Sequence, residues 1–154
     1  MKTRLPALIF LRIALLAIGI DLFDGASILA EDKIAPTPVE SDMHEFMEYV
    51  FQPPYKRLRQ AMAEESKDSG VWKSIKSDSL ILAEAGNLLL IRVSKDQADE
   101  WAKHSAQVRA LAADLYRAAK QKDATAAQKS YRAMLVQCNH CHDHFADGEH
   151  QLTP

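Results

Sequence analysis

Five residues near the end of the chain, Cys138-Asn139-His140-Cys141-His142, place two thiols and an imidazole within little more than one helical turn. A C-x-x-C-H box is the spacing that attaches a c-type haem. Thioether bonds to two neighbouring vinyl groups require two sulfurs on one face of a short segment. The histidine after the second cysteine must then set its imidazole beneath the iron. On a helix Cys138 and His142 stand at i and i+4, stacked on the same side, and Cys141 borders both. The box therefore predicts one covalently attached haem c, with Cys138 and Cys141 as attachment sites and His142 as the proximal iron ligand.

Three other chemistries use the same residue types. A disulfide between cysteines three positions apart closes a very small ring and constrains the unfolded chain little. A thioredoxin-like pair belongs where a strand meets a helix N-terminus, whose dipole lowers the thiol pKa; no such pattern precedes this box. Zinc is a stronger rival, because His140, His142 and His144 crowd the segment. Structural zinc, however, draws two ligand pairs across a spacer, and a second pair is missing.

The iron's other axial position decides what a bound haem does. A thioether there gives a six-coordinate electron-transfer centre, whereas an open position admits small gases. Met47 is the first candidate, Met43 the next, and His44 lies beside them. The competing reading makes both methionines ordinary core residues, as methionine on an apolar stripe usually is. Tyr131 and Phe145 share the face of the box and are expected to wall the pocket. Trp72 and Trp101 read as packing residues, with contact at the haem edge as the alternative, and His104 and His150 as surface residues. His140 and His144 flank the ligand and should point away from the iron.

Four helical stretches are expected to position these groups. The first runs from Ser41 or Asp42 to Ser66 on the stripe Met43, Met47, Val50, Pro54, Leu58, Met62, with a kink or break at Phe51–Pro54 imposed by two prolines. The second, about Val71 to Arg92, follows Ser69-Gly70 and carries Trp72, Ile75, Ser79, Leu82, Gly86, Leu89 and Val93. Gly86 in mid-helix suits a close approach by another helix or a cofactor. The third runs from near Ser94, where Ser94 and Gln97 fit a capping box, to Lys122, with Trp101, Ser105, Val108, Ala112, Leu115 and Ala119 inward. The fourth starts at the N-cap Asp123 and carries Ala127, Tyr131, Met134 and the box to Phe145. Amphipathic helices with short connections pack antiparallel around one core. The expected fold is thus an all-α, up-down-up-down four-helix bundle over 41–146, with the haem on its C-terminal helix.

Composition sets the outer bounds. The 154 residues suit one domain, and 47% hydrophobic with 26% charged residues argues against disorder. A net charge of −2 without a basic stripe argues against nucleic acid as a partner. Residues 1–30 read as a signal peptide: Lys2, Arg4 and Arg12 precede the apolar run Ile13–Ile20, and cleavage is expected after Ala30, or else near Ala17-Ile18-Gly19. Arg12 leaves that run well short of the roughly 20 residues that span a bilayer, so no stable span should remain after cleavage. Export to the periplasm follows. Residues 31–40 read as an extended lead-in and 147–154 as a loose, flexible tail.

On these residues the chain resembles the class II cytochromes c, the cytochrome c′ and cytochrome c556 family. The likeness rests on Cys138-Asn139-His140-Cys141-His142-Asp143-His144-Phe145, a C-x-x-C-H-x-x-aromatic box close to the C-terminus. Class I cytochromes place it near the N-terminus. The resemblance implies periplasmic monohaem electron transfer with redox partner proteins, no substrate chemistry, and often a homodimer. In the c556-like branch a methionine of the first helix is the distal ligand, matching Met47 or Met43. In the c′ branch an apolar residue stands there, and the five-coordinate iron binds nitric oxide or carbon monoxide. Many c′ members carry a basic residue where this chain has Ala146, and Pro53-Pro54 departs from the usual first helix.

Overall fold

The first helical stretch is interrupted where the two prolines demand it. The computed structural model describes residues 35–92 and 97–154, and all the regular structure among them is helical. The order is α1 (Met43–Phe46), a π-helical turn (Met47–Phe51), α2 (Gln52–Ala63), α3 (Ser69–Leu89), α4 (Ala98–Gln121) and α5 (Ala124–Phe145). Residues 36–154 form one compact unit. The signal peptide and the expected Ser94 cap lie outside the described residues, as does Val93.

Pro53 and Pro54 have no N–H for the carbonyls one turn back. The chain answers with a wide turn, in which Gln52 N–H reaches back five residues to the Met47 carbonyl. The prolines then occupy the first turn of α2, where the missing donors cost nothing. The extra residue shifts the phase of the stripe. Upstream of the turn Phe46 is the buried side chain, while Met43, Met47 and Val50 are half-buried around it. Downstream the expected residues Pro54, Leu58 and Met62 are buried.

Helices α3 and α4 follow the sequence pattern closely. Trp72, Ile75, Ser79, Leu82, Gly86 and Leu89 are buried on α3, as are Trp101, Ser105, Val108, Ala112, Leu115 and Ala119 on α4. Helix α3 starts at Ser69, two residues before the expected Val71. Asp68 caps it by accepting the Val71 N–H at 2.8 Å, so Ser69-Gly70 lies inside the first turn and breaks nothing. At Gly86 a Cβ would sit 2.8 Å from Arg109 Cβ and 3.0 Å from Arg109 Cα, so the glycine lets α3 and α4 approach closely. Two residues join α4 to α5. Lys122 turns the chain in the left-handed region at φ 56°, with Asp123 N–H bonded to the Ala118 carbonyl, and Asp123 then caps α5 through Ala126 N–H at 2.9 Å.

Helix α4 packs against α3 and α5, and α3 packs against α2. The buried side chains fall into two clusters. The larger holds Leu58, Ile75, Leu82, Leu115, Tyr131 and Met134. The smaller is Phe46, Leu89 and Trp101, bordered by Met43, Met47, Val50, Phe51 and Phe145. No described helix is long and apolar enough to cross a membrane.

Candidate functional site

A cavity of about 560 Å³ is lined by residues of both clusters. Protein interiors are close-packed and hold few voids larger than a water molecule, whereas ligand pockets occupy ~300–1,000 Å³. Met43, His44 and Met47 line it from the first helical stretch, with Phe51 at the wide turn. Leu82 and Leu89 come from α3, Trp101 and Val108 from α4. Helix α5 contributes Met134, Leu135, Cys138, Cys141, His142 and Phe145. These α5 positions recur at each turn, as 134/135, 138, 141/142 and 145, so one face of that helix forms one wall.

Both cysteines are free thiols at this wall. Burial pushes Cys138 up to about 12, with Cys141 adding to the rise, and burial pushes Cys141 up to about 11. Neither is a thiolate at neutral pH. A redox-active pair needs the opposite shift, so the thioredoxin-like chemistry does not fit this helix.

His142 is oriented by a hydrogen bond from Nδ1 to the backbone carbonyl of His150, at 2.9 Å. A carbonyl only accepts, so Nδ1 carries the proton and Nε2 keeps its lone pair. Burial lowers the pKa of His142, the His150 carbonyl opposing in part, which favours the neutral ring that binds metals. Metal-bound histidines characteristically hold their second nitrogen in this way. The neighbouring histidines turn elsewhere. His144 stacks on His104 at 5.7 Å between centroids, and His140 is exposed. Among the described residues no group of three or more His, Cys, Asp or Glu side chains is placed to hold a metal ion. Among these residues a zinc site would lack its ligand set, whereas iron held in a porphyrin needs at most two side chains. A buried and a half-buried thiol, an imidazole with a free Nε2 and a large, mainly apolar cavity fit a covalently held haem.

Other expected residues fall in different places. Phe145 lines the cavity and packs edge-on against Trp101 at 4.9 Å. Tyr131 is buried in the larger cluster, two turns before Cys138, and the cavity wall on α5 begins only at Met134. Trp72 likewise packs in that cluster. His104, read as a surface residue, is largely covered, and its Nδ1 accepts from Gln137 Nε2 at 2.8 Å. His44 is exposed, with its ring 5.8 Å from that of His150.

The residues following α5 carry no regular structure, yet they are tied down. Asn139 donates to the Leu152 carbonyl at 3.0 Å and accepts the Leu152 N–H at 2.8 Å. Tyr55 donates through its hydroxyl to the Thr153 carbonyl at 2.8 Å and accepts the Thr153 N–H at 3.2 Å. His150, Gln151 and Leu152 line the cavity. The sequence signal for this return was Asp147-Gly148, a turn-forming pair just past the helix end. The sequence matches no family model and no curated protein.

Proposed function

We propose that the protein is a periplasmic monohaem c-type cytochrome that transfers single electrons, built as an antiparallel four-helix bundle of the class II kind. The observation that supports this reading best is the shared cavity, in which Cys138, Cys141 and His142 of α5 meet Met43 and Met47 of the first helical stretch. Bound haem would supply an iron that cycles between ferric and ferrous states. Cys138 and Cys141 would hold it by adding each S–H across a vinyl group, a step with no leaving group. His142 would present Nε2 to the iron, with its ring fixed by the His150 carbonyl. Met47, or Met43 beside it, would offer the iron a thioether as its second protein ligand. Leu82, Leu89, Trp101 and Val108 would exclude water and raise the potential through their low dielectric.

The test is the absorption spectrum of periplasmically matured protein, oxidised and reduced, before and after carbon monoxide. Sharp low-spin bands indifferent to carbon monoxide are expected. Absence of haem bands after competent maturation sinks the proposal. Broad high-spin bands that shift with the gas replace electron transfer by gas binding.

A further inference from the structure

The C-terminal residues are bonded across two different helices, and one of them is held in an uncommon backbone conformation. His150 sits at φ 57°, in the left-handed region that residues other than glycine seldom adopt. Its carbonyl is the one that accepts the His142 Nδ1–H. Beyond it, Leu152 is clamped by the paired bonds to Asn139 of α5, and Thr153 by the paired bonds to Tyr55 of α2. Arg59 adds a bond to the Pro154 carbonyl at 3.2 Å. A backbone conformation of this kind persists only where its surroundings over-determine it, and such positions concentrate at functional sites.

We infer that residues 149–154 form a proximal strap, in which Asn139 and Tyr55 lock the left-handed turn at His150 so that its backbone carbonyl sets the orientation and basicity of the His142 imidazole. The inference rests on the haem reading and extends it: His150, Asn139 and Tyr55 become positioning residues for the iron ligand. The second residue of the C-x-x-C-H box thereby acquires a task of its own. The carbonyl draws on the Nδ1 proton, makes Nε2 a stronger donor and favours ferric iron. Strap formation therefore lowers the reduction potential relative to an unrestrained imidazole.

Proline separates the strap from general packing, because its φ is fixed near −65° and it cannot adopt the left-handed turn, whereas glycine adopts it freely. The experiment is redox titration of matured wild-type, His150→Pro, His150→Gly and Asn139→Ala proteins, together with ¹⁵N NMR of the His142 Nδ1–H in the reduced state. His150→Pro and Asn139→Ala are expected to lose the protected Nδ1–H signal. They should also raise the ferrous-to-ferric ratio at a fixed poise about tenfold, an upward shift of about 59 mV for one electron. His150→Gly, which keeps the carbonyl, should match wild type in both readouts. A potential that falls, as water entry alone would produce, overturns the inference, and so does an unchanged one in His150→Pro. A wild-type Nδ1–H that exchanges as freely as a solvated imidazole overturns it too. Wild type that takes up no haem would sink the proposed function instead, and the Nδ1–H signal would still decide whether the strap exists.

Discussion

The indole Nε1–H of Trp101 donates to the carbonyl of Leu89 at 2.8 Å, joining the first turn of α4 to the last residue of α3. The last carbonyls of a helix lack partners within it, and this one also receives Arg92 N–H at 3.0 Å. Both side chains line the cavity. Trp101→Phe keeps an aromatic ring against Phe145 but removes the donor and part of the packing. The expected loss is about 2 kcal/mol, one from the hydrogen bond and one from the void. Urea unfolding should show it as a lower midpoint with an unchanged slope.

Gly86→Ala tests the close approach of α3 and α4. Alanine gains up to about 1 kcal/mol in helix propensity. The new methyl, however, would meet the backbone of Arg109 at 3.0–3.1 Å, where no side-chain rotation relieves it. Overpacking of this kind costs about 1–3 kcal/mol, so the net effect should be destabilising. Leu82 and Leu89, one turn to either side, line the cavity. A displaced α3 should therefore also broaden the visible bands of the haem-loaded protein.

Periodicity made α3 and α4 legible, because an unbroken 3.6-residue repeat writes the buried face directly into spacing. The box was legible for the same reason: Met134, Cys138, Cys141 and Phe145 lie in phase on one wall. The first helical stretch was legible in its break and in the buried Pro54, Leu58 and Met62. Upstream it was not, because a wide turn adds a residue that no repeat reveals, and Phe46 is buried in place of the stripe Met43, Met47 and Val50. The strap was hidden for a different reason. Its bonds link residues as far as 98 positions apart, and a pattern read locally carries no information about them. Asp78 is a similar case, a charged residue on a buried face whose partner lies on another helix.

Asp78 is buried on α3 and accepts from Arg57 Nε at 3.0 Å and Nη2 at 2.6 Å, while the Arg57 side chain is 51% exposed. The pair is thus asymmetric. Arg57→Ala leaves the buried carboxylate only the Ser74 hydroxyl, at 3.4 Å, and should cost about 3 kcal/mol. Asp78→Ala removes the buried charge and releases the guanidinium to water, for about 1 kcal/mol. Thermal unfolding of the two variants should rank them in that order; equal losses would show that packing, not charge, links α2 to α3 here.

Desolvation lowers the pKa of His104; His144, Lys103 and His140 push the same way and Glu100 opposes. The neutral ring also accepts from Gln137 through Nδ1, a bond that protonation there would break. A folded-state pKa below the unfolded value means that the unfolded chain binds more protons. Stability from this residue is therefore complete above about pH 7 and is lost as pH falls through the unfolded value, about 6.5. His104→Gln should show a shallower decline in unfolding free energy between pH 7 and 5 than wild type, with parallel curves above pH 7.

If the proposed haem is held here, the phase shift that buried Phe46 also bears on which methionine would face its iron. Met43 and Met47 are one α-helical turn apart, both half-buried and both on the cavity. They differ in backbone setting: Met47 opens the π-helical turn, and its carbonyl is bonded five residues ahead to Gln52, whereas Met43 begins α1 beside the Asp42 cap. Residues in π-helical turns are often functional, because the wide turn redirects a side chain that a regular helix would point elsewhere. Met47→Ala should convert the haem-loaded protein to a high-spin form that binds carbon monoxide, and Met43→Ala should leave the low-spin spectrum intact. The reverse result assigns the thioether to Met43, and a low-spin spectrum in the double variant removes both methionines from the iron.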